Sequence, residues 1–411
     1  MPTLNLRRAA ELLSVVGPAV LVSVELFDPA SIVTATAAGA KLGFGILWVA
    51  FYSGLLLIVI QEISARVGVV TGKTLAENIR KQYGKLYALL LFFPSLFLDL
   101  SSLTAEVIGL SMAISFLLNV PYTLSVALSV LLANVLANLG SYSRLEKAIM
   151  LLVTGIFISY LYFVFELNIP LSELVVSSVV PTLDPKSFYY AEAIIGASIM
   201  PTYVMLHSGL VYEKGWVHHH HKGIEDLIEG QQKAVKNERI DSVFSLLAGT
   251  VLNIVIIACA AFLISGREIS TFLDIASPFY AALGDPGLVL FSLAFGFAGI
   301  SAIMTVGLSS VYNSYGFLGT EERMYRRGFR QAFFLWSAIA GIASLLSNGV
   351  GIMVFTQYLN GALLPLVLVP LILIARDTRV MGPRKIGTVT TLLALATVAI
   401  TTLLFMSSLI L

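Results

Sequence analysis

Apolar runs of about twenty residues alternate along the chain with short polar segments, and a helix needs about that length to cross a bilayer. Hydropathy predicts eleven spans, near 13–38, 44–64, 86–119, 122–140, 144–166, 189–213, 240–265, 287–312, 330–347, 350–375 and 388–411. The third run fits either one tilted helix or a helix with a bend. Arg7 and Arg8 precede a run too long for a cleavable signal, and no processing site follows it.

Two of the runs are interrupted. The first reads VSVELFDPASIVTATAAGA, broken at Asp28-Pro29; the sixth reads IIGASIMPTYVMLHSGLV, broken at Met200-Pro201. Proline inside a helix removes a backbone donor and frees a carbonyl. Within a membrane such backbone survives only where it lines a protein cavity. The breaks fall five spans apart, and an odd repeat inverts the second copy. This pattern points to an inverted-repeat transporter with its site at two unwound helices. Two ordinary proline kinks are the alternative.

Composition narrows the class. Of 411 residues, 57% are hydrophobic and 12% charged, which excludes a soluble enzyme, a nucleic-acid binder and a disordered chain. The single cysteine, Cys259, excludes a disulfide framework and Cys-based metal clusters. No Walker motif is present, so nucleotide-driven transport is not expected. With the N-terminus cytoplasmic, the cytoplasmic segments hold all the lysines and arginines except Lys41, Lys186 and Arg267, a strong positive-inside pattern. The C-terminus then lies outside the plasma membrane.

The acidic residues behave differently. Asp28 sits mid-span, and no lysine or arginine lies within a span to pair with it, which favours a cation from outside. Met200 at the matching break offers a thioether, which shifts preference from Mg²⁺ or Ca²⁺ toward transition metals. Glu25 lies on nearly the same helical face as Asp28 and is read as functional. Asp99 shares a face with Glu106 but, like Glu192, is read as a vestibule or interfacial group. His218 to His221 are read as a flexible polar loop, and the small-residue run 296–310 as close helix packing.

The chain resembles the NRAMP family of divalent-metal transporters. GPAVLVSVELFDPASIVTATAAGAKLG is similar to that family's first-span signature with its DPGN core. QEISARVGVVTGKTLAE, AEVIG, IIGASIMPTYVMLHS (around MPHN) and KAVKNERIDS follow in the family's order. The resemblance implies an all-helical, LeuT-type fold. It implies a first inverted repeat over 1–166, a second over 167–375, and a basic loop with an eleventh helix over 376–411. It assigns metal contacts to Asp28, Met200, the Ala197 carbonyl and Gln357.

The departures are specific. Ser31 stands for the family's Asn, a shorter and weaker ligand. Thr202 stands for a histidine, Tyr203 for the following Asn, and Leu103 for a proton-relay Asp, while His207 and Glu106 remain. Thr and Leu cannot relay protons near working pH, so weak or absent proton coupling is expected. The implied function is import of Mn²⁺ or Fe²⁺ between the breaks, with carbonyls near Ala30 and Ala197 replacing hydration. The metal is cargo and no resident cofactor is expected. The partners are the ion and the bilayer, with no nucleic acid, and a monomer suffices. The alternatives are a Mg²⁺ or trivalent-metal carrier, or a metal sensor that does not transport; an amino-acid carrier is disfavoured because Asp28 repels a substrate carboxylate.

Overall fold

The computed structural model describes residues 27–138, 160–213, 246–320, 327–346 and 349–410, with isolated positions 158 and 243. Every regular element among them is helical. Helix α1 is Pro29–Leu42, and a 3-10 turn at Gly43–Ile46 leads into α2, Leu47–Thr71. Next come α3, Leu75–Leu118, and α4, Tyr122–Asn138. A short α5, Leu171–Val179, precedes α6, Phe188–Ser198, and α7, Pro201–Glu213. The remainder are α8, Leu246–Leu263, α9, Phe272–Leu283, α10, Asp285–Leu318, α11, Arg327–Leu346, α12, Val350–Arg376, and α13, Thr388–Ile410.

Eight helical segments among the described residues are long and apolar enough to cross a bilayer. The first of these, Pro29–Thr71, is α1 and α2 joined by the 3-10 turn. The expected spans that fall on described residues recur as helices, with three refinements. The third run is one helix from residue 85 onward: its bend is at Gly84 (φ 85°, ψ 174°), a conformation glycine adopts without a Cβ clash. Helices α5 and α9 fill segments expected to be loops. Their 9 and 12 residues are apolar but too short to span. Most of the fifth span, residues 1–26, the 233–242 block and His218 to His221 lie outside the described residues.

Both interrupting prolines start helices instead of kinking them. Pro29 and Pro201 are each the first residue of a helix, where the missing N–H has no intrahelical role and the fixed φ is already helical. Asp28 is the N-cap of α1, with extended backbone and its side chain accepting from the Ser31 amide. Helix α6 ends at Ser198 and its C-cap, Ile199, has left helical geometry (φ −120°, ψ 66°), so Ile199 and Met200 form a two-residue link before Pro201.

Small residues set how closely the helices pass. Helix α3 packs most extensively on α10 and also lies against α1. A Cβ at Gly109 on α3 would overlap the Pro29 ring, and one at Gly196 on α6 would overlap the Gln357 carbonyl and Gly361 of α12. Membrane helices associate through such close van der Waals approach. Beyond α12, Arg379 bonds Asp377 at 3.0 Å and holds that carboxyl below the usual carboxylate range.

Gly109→Ala is expected to force α3 away from Pro29 and to cost about 1–3 kcal/mol. The measurement is the thermal midpoint in detergent. Gly351→Ala is the control, because nothing lies within 4 Å of a Cβ there.

Candidate metal site

The N-terminus of α1 and the C-terminus of α6 face each other. Asp28 Oδ1 accepts from the Ser31 amide at 2.6 Å, while Asp28 Oδ2 has no hydrogen-bond partner among the described residues. The Ser31 hydroxyl reaches across and donates to the Ala197 carbonyl at 3.4 Å, a long, weak bond. Asp28 and Met200 are fully buried, and Ser31 and Ala197 nearly so.

This arrangement provides the oxygens a cation needs. The last carbonyls of α6 have no intrahelical partners and carry the negative end of its dipole. The first turn of α1 is the positive end, and the Asp28 side chain caps it. Around a six-coordinate ion at about 2.1 Å, adjacent oxygens stand about 3.0 Å apart. At 3.4 Å, Ser31 Oγ and the Ala197 carbonyl oxygen stand close to that spacing. The expected Ala30 carbonyl does not contribute in this way. It lies inside the first turn of α1 and accepts the Thr34 hydroxyl at 2.8 Å. The Met200 carbonyl is likewise engaged, by the amides of Tyr203 and Val204 at 3.1 Å each.

A second carboxylate stands beside the first. Glu106 on α3 is fully buried and faces the Asp28 carboxylate and the Ala30 backbone. Neither of its oxygens has a hydrogen-bond partner within ordinary limits among the described residues. The close passage at Gly109, one turn along α3, is what brings it there. Gln357 is fully buried on α12, where its main-chain oxygen packs on Gly196, next to Ala197.

The departures from the family pattern have their own geometry. Thr202 donates its hydroxyl to Asp99 at 2.5 Å, and its carbonyl accepts from Ser309 of α10 at 2.9 Å. Asn313 donates to Ser309 at 3.1 Å and also bonds Asp99. Leu103, one turn after Asp99, is buried and apolar. Asp99 is thus no vestibule or interfacial group: it is 2% exposed, at the junction of α3, α7 and α10. Glu192 is not interfacial either. It is fully buried at the contact of α6 with Gly361 of α12. His207, further along α7, pairs through Nδ1 with Gln61 Oε1 of α2 at 2.9 Å. Glu25 lies outside the described residues.

Sequence reasoning missed Ser102, Ser309, Asn313 and Asn360. The available signal was spacing. Gln357 and Asn360 are three apart, and Ser309 and Asn313 four apart, so each pair shares one face of an otherwise apolar helix.

The family model described as "Natural resistance-associated macrophage protein-like" matches residues 19–411. The chain is a member of the Nramp family. The divalent metal cation transporter MntH of Ralstonia nicotianae is 30% identical to this Nramp chain over 400 residues, covering 93% of it and 88% of the relative. Among solved structures, the Eremococcus coleocola manganese transporter in complex with an aromatic bis-isothiourea compound aligns at a TM-score of 0.78. The identity there is 21%, with 98% and 87% of the two chains covered. Mhp1, a nucleobase-cation-symport-1 family transporter, aligns at 0.57 with 14% identity, covering 96% and 92%. These likenesses show the LeuT-type fold of an integral membrane protein.

Thr202→Val removes the hydroxyl at nearly constant volume and deprives Asp99 of a donor. The expected loss is about 1–3 kcal/mol, read as a lower thermal midpoint in detergent. Asp99→Leu combined with Thr202→Val is expected to recover part of it, because neither polar partner is then left buried alone.

Proposed function

We propose that this Nramp protein is a secondary transporter that imports divalent metal ions, Mn²⁺ or Fe²⁺ foremost, by alternating access. The observation that carries the reading is the half-satisfied Asp28 carboxylate. One oxygen is held by the first turn of α1, and the other is buried without a partner among the described residues, beside Ser31, Ala197 and Met200. Its relatives' description as divalent metal cation transporters supports the substrate class.

In this reading Asp28 neutralises charge, Ser31 Oγ and the Ala197 carbonyl replace water, and the Met200 thioether disfavours Ca²⁺ and Mg²⁺. One helix bundle rocks against the other, with the N-terminus cytoplasmic and the C-terminus outside. The membrane potential suffices as a driving force: a dication crossing about 100 mV gains about 4.6 kcal/mol. Leu103 and Thr202 exchange no protons near neutral pH, so coupling through those positions is absent.

The paired carboxylates favour a second reading. Asp28, Glu106 and Ser31 together form an oxygen-rich set that suits Mg²⁺, and Met200 is the feature that opposes it.

Uptake of Mn²⁺, Mg²⁺ and Ca²⁺ into proteoliposomes, with and without a pH gradient, tests both. Saturable Mn²⁺ uptake, lost in Asp28→Ala, is expected. Met200→Ala is expected to lose selectivity for Mn²⁺ over Ca²⁺ by about tenfold or more. Uptake of Mg²⁺ in preference to Mn²⁺ would establish the second reading, and saturable binding without uptake would identify a sensor. Internal pH recorded at clamped potential addresses coupling. Acidification that tracks uptake and disappears in Asp99→Asn would make Asp99 the proton acceptor.

A further inference from the structure

Helices α4 and α11 pack side by side in opposite directions and part toward one end. A Cβ added at Gly341 would come within 2.8 Å of Val130, and one turn along, Asn134 Nδ2 donates to Ser337 Oγ at 2.8 Å. Beyond these contacts the pair opens into a cavity of about 370 Å³, lined by Asn134, Asn138, Arg330, Gln331 and Phe334. In the sequence, SYSRLEK follows this end of α4 and TEERMYR precedes this end of α11, so the cavity lies where two apolar helices meet polar segments. That is the depth of lipid headgroups. Phe334 is 59% exposed, and Leu131 and Val135 of α4 and Leu335 of α11 are exposed as well, so these helices offer an apolar surface to acyl chains.

The lining suits an anion. Arg330 makes no ion pair or hydrogen bond among the described residues, and no carboxylate lines the cavity. Gln331 and Asn138 carry amide donors. Asn134, 8% exposed, is the buried member of the lining. Its amide has one fixed sense. Nδ2 donates to the Val130 carbonyl and to Ser337 Oγ, each at 2.8 Å, while the Ser337 hydroxyl donates to the Phe334 carbonyl at 3.0 Å. A main-chain carbonyl only accepts, so the –NH₂ branch must face it. Both amide hydrogens are then used, and Asn134 Oδ1 is left buried without a donor among the described residues.

We propose that this cavity between α4 and α11 binds an anionic phospholipid of the phosphatidylglycerol class, with its phosphodiester on Arg330 and its acyl chains along Phe334 and the exposed apolar side chains. Three features select this occupant. A guanidinium pairs with phosphate through two parallel hydrogen bonds, and Arg330 has no other anion. The glycerol headgroup carries hydroxyl donors, the kind of group that Asn134 Oδ1 lacks. A phosphatidylethanolamine headgroup would instead bring an ammonium beside Arg330, and a water-soluble phosphate would gain nothing from Phe334. Basic pockets between membrane helices recognise headgroups by the same chemistry. The bound lipid bridges α4 and α11 where they part, so it stabilises the fold. The site shares no residue with the one around Asp28 and does not depend on the transport reading.

The test is native mass spectrometry of the full chain in detergent, titrated with dioleoyl phosphatidylglycerol, dioleoyl phosphatidylethanolamine or glycerophosphate, with the thermal midpoint read in parallel. Phosphatidylglycerol is expected to bind about tenfold more tightly than phosphatidylethanolamine and to raise the midpoint as it saturates. Arg330→Gln is expected to weaken phosphatidylglycerol binding about tenfold, the scale of one charge-assisted hydrogen bond. Gln331→Glu, which sets a carboxylate beside the phosphate, is expected to weaken it to a similar degree. Both side chains are exposed, so neither change threatens the fold. Arg379→Gln, at an exposed arginine on another segment, is expected to change binding less than about twofold. Unchanged binding in Arg330→Gln, or equal weakening in Arg379→Gln, would overturn the site in favour of diffuse surface charge. Tighter binding of phosphatidylethanolamine would overturn the choice of headgroup. Displacement of the lipid by an equal concentration of glycerophosphate would show a site for soluble anions and overturn the assignment to lipid.

Discussion

A carboxylate in the middle of a membrane protein, with no cationic side chain paired to it among the described residues, constrains everything around it. Burying an unpaired charge costs several kcal/mol even after relaxation. Asp28 meets that cost partly through its place at the start of α1. The Ser31 amide takes one oxygen, and the positive end of the helix faces the charge. The other oxygen is left without a partner there. A site that satisfied both would have little reason to accept an ion, and one that satisfied neither would not hold its shape. The ion pairs Arg66–Glu62 and Arg379–Asp377 lie on other segments and do not compete for it.

Holding two helix ends apart at that point requires their neighbours to approach closely elsewhere. Gly109 lets α3 pass over Pro29, which brings Glu106 to Asp28. Gly196 lets α12 pass over the last turn of α6, which brings Gln357 beside Ala197. Without a hydrophobic driving force between helices, this close packing is what fixes their relative positions. The half of span six beyond the break packs its buried apolar residues against α2 and adds polar contacts. Ser208 Oγ accepts from the Leu75 amide at 2.8 Å, Ser64 bonds the Val204 carbonyl, and His207 bonds Gln61.

The breaks, the mid-span Asp28 and the order of the long helices were legible because each leaves a local mark: a proline, a charge or an apolar run. The meaning of the prolines was less legible. Hydropathy runs straight through residues 13–38 and 189–213, and only the capping geometry distinguishes a helix that kinks from one that begins. Helices α5 and α9 escaped because an apolar segment shorter than a span resembles a loop to a window of span length. The partners of Asp99 and Gln357 escaped for another reason. Thr202 lies 103 positions from Asp99 and Ser102 lies 258 from Asn360, and periodicity cannot pair residues across helices.

That failure bears on how missing family residues are interpreted. Comparing the chain with the family motif position by position finds Leu103 where an acid belongs and Thr202 where a histidine belongs, and counts two losses. In three dimensions the changes are not independent. Asp99 is one helical turn from Leu103, about 6 Å along the same face of α3. A threonine at 202 is short enough for that displaced carboxylate to reach its hydroxyl. With a leucine at 99 the Thr202 hydroxyl would lose its buried acceptor, and with a histidine at 202 the larger ring would occupy the space where Asp99 now bonds. Asp99 and Thr202 thus belong to one hydrogen-bonded set, completed by Ser309 and Asn313 of α10. The chemistry available beside the span-six break therefore includes a buried carboxylate, Asp99, that motif matching alone discards.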